Sequence, residues 1–148
     1  MMIQPALKED SERISVLSQT RIIGSQMTSK DVMESLADNN LLILKITNED
    51  LILGYSLLRL EGTEGEIDEI AICRDFEGQG LGKLLLLASE EKMSEKGINT
   101  VYLEVREKNL RAIHLYEKNG YQFYRKRQGY YPDDNALCYK KELTQNER

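Results

Sequence analysis

Apolar residues along this chain follow two rhythms, alternation by two and recurrence by three or four, and the switches between them mark out the elements. Met2–Leu7 reads as a first strand, cut off by the charged run Lys8-Glu9-Asp10. From Asp10 to Ile23 the apolar Ile14, Val16 and Leu17 fall at helical spacing, with Asp10 or Ser11 placed to cap the start. Gly24-Ser25 ends that helix. Thr28 or Ser29 opens a second, which buries Val32, Met33 and Leu36 and stops at Asn39-Asn40. Two apolar runs follow, Leu41–Ile46 and Leu51–Leu60, split by Thr47-Asn48-Glu49-Asp50, which is turn chemistry and predicts a hairpin. A further turn over Glu61–Gly65 leads into a strand at Glu66–Cys73, so three consecutive strands run antiparallel.

The second half repeats the alternation of helix and strand. Leu81–Lys96 is predicted helical and ends at Gly97, a residue suited to a left-handed stop. Asn99–Arg106 is the next strand, and a connection through a helix predicts that it lies parallel to the one before. A helix over Glu107–Asn119 ends at Gly120, and the last strands are Tyr121–Lys126 and Ala136–Leu143, with Gln128–Asn135 as a loop between them. Thr144–Arg148 is a polar tail, expected to fray. The order βααβββαβαββ describes an α/β domain over residues 1–148, a mixed central sheet with helices on its faces.

Composition narrows the function classes. With 148 residues, 41% apolar and 30% charged, the chain has the size and make-up of one soluble domain. A formal net charge of −5 argues against a general nucleic-acid binder and is compatible with an amine or cationic peptide as substrate. The only cysteines, Cys73 and Cys138, have no CxxC spacing, so neither a disulfide framework nor a metal site is expected. No apolar run approaches a membrane span and no signal pattern opens the chain, so the expected setting is cytoplasmic.

Candidate chemistry concentrates in Glu66–Leu87. An isoleucine-rich strand passes through a turn holding Gly78, Gly80 and Gly82 and continues directly into a helix. Such a junction leaves backbone N–H groups unpaired and aimed one way, and with the helix dipole they suit a phosphate. The alternative is a turn that only joins strand to helix. A Walker loop is excluded because Leu84 follows Lys83 where Ser or Thr is needed, and the glycine spacing fails the dinucleotide fingerprint. Downstream, Glu104 puts a carboxylate in a strand whose other positions include Val101, Leu103 and Val105. It is either a working carboxylate or part of a polar strand face. Tyr116 is a candidate acid or a core tyrosine, and Asn109 a ligand contact or an N-cap. His114 reads as a surface residue, and nothing in the sequence supplies Cys73 with a base.

The segment Glu77-Gly78-Gln79-Gly80-Leu81-Gly82 resembles the pyrophosphate loop of the GNAT N-acetyltransferases, (Gln/Arg)-x-x-Gly-x-(Gly/Ala). Leu103-Glu104-Val105-Arg106-x-x-Asn109, then Ala112-Ile113-x-Leu115-Tyr116-Glu117-x-x-Gly120-Tyr121, resembles the branch of that family acting on a ribosomal-protein alanine, as do Arg125-x-x-x-x-Tyr130-Tyr131-Pro132 and the final strand with Ala136-Leu137. The resemblance implies the GNAT fold, a mostly antiparallel sheet with helices on both faces, and acetyl-CoA as co-substrate. It implies Glu104 as base and Tyr116 as acid. It further implies cofactor contacts at Ile70, Ala71 and Ile72, at Gly78, Gln79, Gly80, Leu81, Gly82 and Lys83, and at Asn109. The acceptor would be a protein or peptide N-terminal α-amine, attacking the thioester directly from a groove beside Tyr130 and Tyr131.

Free amines are largely protonated near neutrality, with pKa values of about 8 for an N-terminus and about 10.4 for lysine, so a base near the acceptor is required. Two alternatives stand beside this reading: a small-molecule amine as acceptor, favoured if Asp68 and Glu69 line the acceptor groove, and a CoA-binding module without catalysis. The expected assembly is a monomer or a homodimer. Three departures from the family pattern are visible. Glu77 stands where Gln or Arg is usual, Gly24–Ser29 replaces an aromatic and Pro-Trp-Ser stretch, and the segment after Tyr131-Pro132 is short.

Overall fold

The computed structural model describes residues 1–143. Its elements are β1 (Met2–Pro5), α1 (Ser11–Arg21), α2 (Ser29–Ala37), β2 (Leu41–Asn48), β3 (Leu51–Glu61), β4 (Glu64–Ile72), α3 (Leu81–Glu95), β5 (Thr100–Arg106), α4 (Leu110–Lys118), β6 (Gln122–Tyr131) and β7 (Asp134–Glu142), with short 3₁₀ turns at Lys8–Asp10 and Arg74–Phe76. The seven strands form one sheet in the order β1-β2-β3-β4-β5-β7-β6. Only β4 and β5 are parallel, as a crossover through α3 requires; the other neighbours are antiparallel.

Strand alternation sends successive side chains to opposite faces, and each face meets its own helices. Ile14 and Leu17 of α1 and Val32 of α2 pack on Ile43, Ile52, Tyr55 and Leu57. Leu81, Leu85, Leu86 and Met93 of α3, with Tyr116 of α4, pack on Leu44, Ile46, Leu58, Val101 and Leu103. This is the predicted mixed α/β sheet with helices on both faces.

Several boundaries move. The first strand ends at Pro5 rather than Leu7, and α1 begins after a 3₁₀ turn whose Asp10 carboxylate accepts from the Leu7 backbone and pairs with Lys45 at 2.7 Å. Val16 is half-exposed (47%), because the buried face of α1 runs through Ser11, Ile14, Ser15, Leu17 and Ser18. Thr28 caps α2, exchanging hydrogen bonds with Asp31. The hairpins tighten to two-residue turns, Glu49-Asp50 and Gly62-Thr63. Glu49 takes a left-handed φ of 57° in the first. The fourth helix starts at Leu110, not Glu107, with Asn109 as its N-cap. The stretch 128–135, expected as a loop, is the tip of the β6–β7 hairpin, where Tyr131 pairs with Asp134. The expected frayed tail lies outside the described residues.

One irregularity shapes the site. Across β3 and β4, Leu57 pairs with Glu69 and Leu58 with Ile67, so Asp68 is the extra residue of a bulge, which bends and twists its strand. Pairing of β4 with β5 stops at Ile67–Leu103, next to that bulge. Beyond it the two strands part, leaving Asp68–Ile72 and Glu104–Arg106 on either side of a gap.

Candidate functional site

The gap opens into a cavity of about 460 Å³. One wall is the free edge of β4, with Ile70, Ala71 and Ile72. Backbone direction alternates along a strand, and Cys73 donates to Leu53 of β3 at 2.7 Å, so Ile70 and Ile72 face their N–H and C=O groups toward the gap. Such an edge suits a ligand carrying amides of its own.

The next wall is the glycine turn. Gly78 (φ 78°) and Gly80 (φ 81°) both take left-handed backbone, which no side chain tolerates without strain. The first helical bond of α3 runs from Leu84 N–H to the Gly80 carbonyl at 3.2 Å. The N–H groups of Leu81, Gly82 and Lys83 precede it and have no helical partner, and all three residues line the cavity. A site of three N–H groups at the positive end of a 15-residue helix fits a phosphate. Gln79, the remaining loop residue, is exposed and off this wall.

The far wall belongs to α4. Asn109 lines the cavity and also caps the helix, its side-chain oxygen accepting from Ala112 N–H at 3.2 Å. Tyr116 is buried, 6% exposed, with its ring edge-on to Tyr121 at 5.8 Å. Its hydroxyl has no hydrogen-bond partner among the described residues. Burial pushes the phenol well above its ordinary range, so it stays protonated at any working pH.

Glu104 occupies the first β5 position beyond the last β4–β5 pair. It lines the 460 Å³ cavity and also a second groove of about 220 Å³, with Glu61, Glu64, Glu66, Tyr102 and Arg127. Its Oε2 lies 2.8 Å from Nε of Arg127 and accepts from the Cys138 thiol at 3.6 Å. The carboxylate is thus held by a cation at the point where the two openings meet. Tyr131 lines the larger cavity, with the Arg106 guanidinium stacked 4.1 Å from its ring centroid. Tyr130 is half-exposed and off that wall, edge-on to Tyr131, and the Glu104 charge pushes its phenol up.

Two further charged groups, Arg127 and Glu66, carry no signal in the sequence. Arg127 reaches Glu104 only because β6 pairs with β7 and β7 with β5. Glu66 faces the second groove, where burial and then the carboxylates of Asp68 and Glu104 hold its carboxyl above the usual range. Asp68 and Glu69 both line the large cavity. Asp68 pairs with Arg59 at 2.8 Å, and Glu69 accepts from the Tyr55 and Ser18 hydroxyls. Glu77 binds Arg21 at 2.5 Å and Arg111 at 3.7 Å. His114 is exposed. Cys73 meets the Arg13 guanidinium at 3.6 Å. Among the described residues no cluster of three His, Cys, Asp or Glu could hold a metal, and no described helix is long and apolar enough to cross a membrane.

Comparison with known proteins places this geometry. The model of the acetyltransferase (GNAT) family matches residues 13–121. The ribosomal protein bS18-alanine N-acetyltransferase of Haemophilus influenzae is 40% identical over 89 residues, a match covering 60% of this chain and 60% of that one. The protein of the same name from Haemophilus ducreyi is 29% identical over 131 residues, covering 88% and 89%. The crystal structure of the ribosomal-protein-S18-alanine N-acetyltransferase from Escherichia coli superposes with a TM-score of 0.88 at 23% identity, covering 97% of this chain and 94% of that chain, a likeness of fold.

Proposed function

This chain belongs to the GNAT acetyltransferase family, and we propose that it transfers an acetyl group from acetyl-CoA to a protein or peptide N-terminal α-amine by direct attack. The observation that carries the proposal is Glu104 and Tyr116 lining one cavity at the point where β4 and β5 part. The names of the relatives, which specify an alanine of a ribosomal protein, support an α-amine acceptor.

Acetyl-CoA supplies an acyl group activated as a thioester. The β4 edge at Ile70 and Ile72 holds the amide-bearing arm, and the N–H groups of Leu81, Gly82 and Lys83 take the phosphates. Glu104, held in place by Arg127, removes the proton from the incoming ammonium so that its nitrogen can attack. Tyr116, kept protonated by burial, offers its hydroxyl proton to the departing sulfur. The acceptor enters through the smaller groove that also reaches Glu104, beside Tyr102 and Tyr124 and near Tyr130.

A small cationic amine is the second reading, favoured by the Glu61, Glu64 and Glu66 carboxylates in the acceptor groove, whereas Asp68 and Glu69 line the larger cavity instead. Thiol release from acetyl-CoA against two acceptor panels separates the two. Alanine-first peptides are expected to be turned over, and polyamines and free amino acids to give only background. Turnover confined to small amines overturns the acceptor. Silence from both panels, with acetyl-CoA still bound, replaces catalysis with a binding module.

A further inference from the structure

Glu77 is an acid beside a turn built to receive phosphate, and its carboxylate does not point at the turn's N–H groups. It lies 2.5 Å from the Arg21 guanidinium and 3.7 Å from that of Arg111. The two arginines come from opposite layers of the fold: Arg21 ends α1, and Arg111 sits in the first turn of α4. Arg21 is also anchored by its Nε, which donates to the Ile72 carbonyl on the β4 edge at 3.1 Å. Arg111 is looser, with its side chain 67% exposed against 21% for Arg21, and its Nη2 lies 3.6 Å from where a Cβ on Gly78 would sit. Lys83 adds a third cation to the same cavity.

Two guanidiniums at one cavity mouth repel each other unless an anion sits between them. Glu77 is that anion in the protein alone. Two guanidiniums around one carboxylate, with Lys83 elsewhere on the cavity wall, leave an excess of positive charge, which matches a ligand bearing several phosphate charges.

Resting on acetyl-CoA as the donor, we infer that Glu77 is a positioning residue. It holds Arg21 and Arg111 at the cavity mouth, and their guanidiniums receive the anionic phosphates of the CoA moiety. Guanidiniums suit this task because their fork of N–H donors matches phosphate oxygens. Arg111, exposed and at the longer distance, is the member free to swing onto the ligand, while Arg21 stays fixed to Ile72 and Glu77.

Calorimetric titration of the full chain with CoA, at low and high salt, tests the inference. Removing a negative charge from a phosphate site ordinarily tightens binding, most at low salt. Here Glu77→Ala is expected to weaken CoA binding about tenfold at low salt and to flatten its salt dependence. Arg111→Ala should act in the same direction, with the double variant less than additive. Glu77→Gln keeps the shape and loses the charge, so it is expected to weaken binding as well, and it serves if the alanine variant does not fold. Tighter binding by either Glu77 variant overturns the inference in favour of simple repulsion. A loss equal at both salt concentrations overturns it in favour of loop folding, and unchanged affinity overturns it outright. A wild-type protein that binds no CoA removes the acetyl-CoA reading and this inference together, whereas wild-type binding with indifferent variants removes this inference alone.

Discussion

The two sides of the β4–β5 gap are built on different principles. The surfaces of the larger cavity proposed to meet phosphate and amides come from one stretch, Ile67–Lys83, and largely from backbone: a strand edge, two left-handed glycines and the first N–H groups of α3. The smaller groove takes side chains from β3, β4, β5 and β6, with carboxylates at Glu61, Glu64, Glu66 and Glu104 set against Arg59 and Arg127. A backbone surface recognises what every cofactor molecule shares and is broken by added bulk. A side-chain surface is retuned by single substitutions.

The sharpest way to break that contrast is a methyl group behind the strand edge. A Cβ on Gly54 would lie 2.5 Å from the Ala71 carbonyl oxygen and 2.6 Å from Cδ1 of Ile72, so β4 must shift. Gly54→Ala is expected to destabilise the chain by about 2 kcal/mol or more, seen in denaturant midpoints, and to weaken CoA binding with it. Gly65→Ala is the control, since its nearest contact is the flexible Met93 sulfur at 2.8 Å, and it should have a smaller effect on both measurements.

Next in size is chemistry without packing. Glu104→Gln should lower turnover by about 10²-fold or more while CoA affinity stays close to wild type, in steady-state rates set beside calorimetry. A rate that does not move removes Glu104 from the mechanism. Tyr116→Phe deletes a hydroxyl with no hydrogen-bond partner among the described residues, so folding stability should hold while turnover falls about tenfold. An unchanged rate returns Tyr116 to the core.

The smallest effect tests how the groove tolerates its charge. The Glu66 carboxyl is raised, first by burial and then by Asp68 and Glu104, so the folded chain holds this proton more tightly than the unfolded one. Stability is therefore lost as pH rises from the ordinary carboxylate range through the raised value, and stays lost above it. Glu66→Gln should recover about 0.5 kcal/mol at neutral pH and nothing in acid below both values, followed by thermal midpoint; solvent screening of a half-buried group keeps the gain small.

The same contrast explains what could be read from the chain. The glycine turn, the strand before it and the helix after it obey local rules, so residues 66–87 could be read as a strand, a turn and a helix start without tertiary information. Glu104 stood out as a carboxylate among valines and leucine. Arg127 and Glu66 gave no such signal, because their proximity to Glu104 depends on three strand registers between residues far apart in sequence. At 128–135, Gly129 does take left-handed backbone, φ 65°, and its N–H donates to Asn135 at 2.7 Å. The turn chemistry there was real, but long-range pairing absorbed it as an irregular hairpin tip. Glu77 was legible as a departure, and its two arginine partners were not.

Because β4 and β5 separate just where Glu104 begins, the molecule has two doors opening on one residue. Neither visitor has to leave before the other arrives, so double-reciprocal plots at several fixed acceptor concentrations should intersect instead of running parallel. A single inhibitor with a CoA-like half in the larger cavity and a peptide half in the smaller groove would occupy both doors at once.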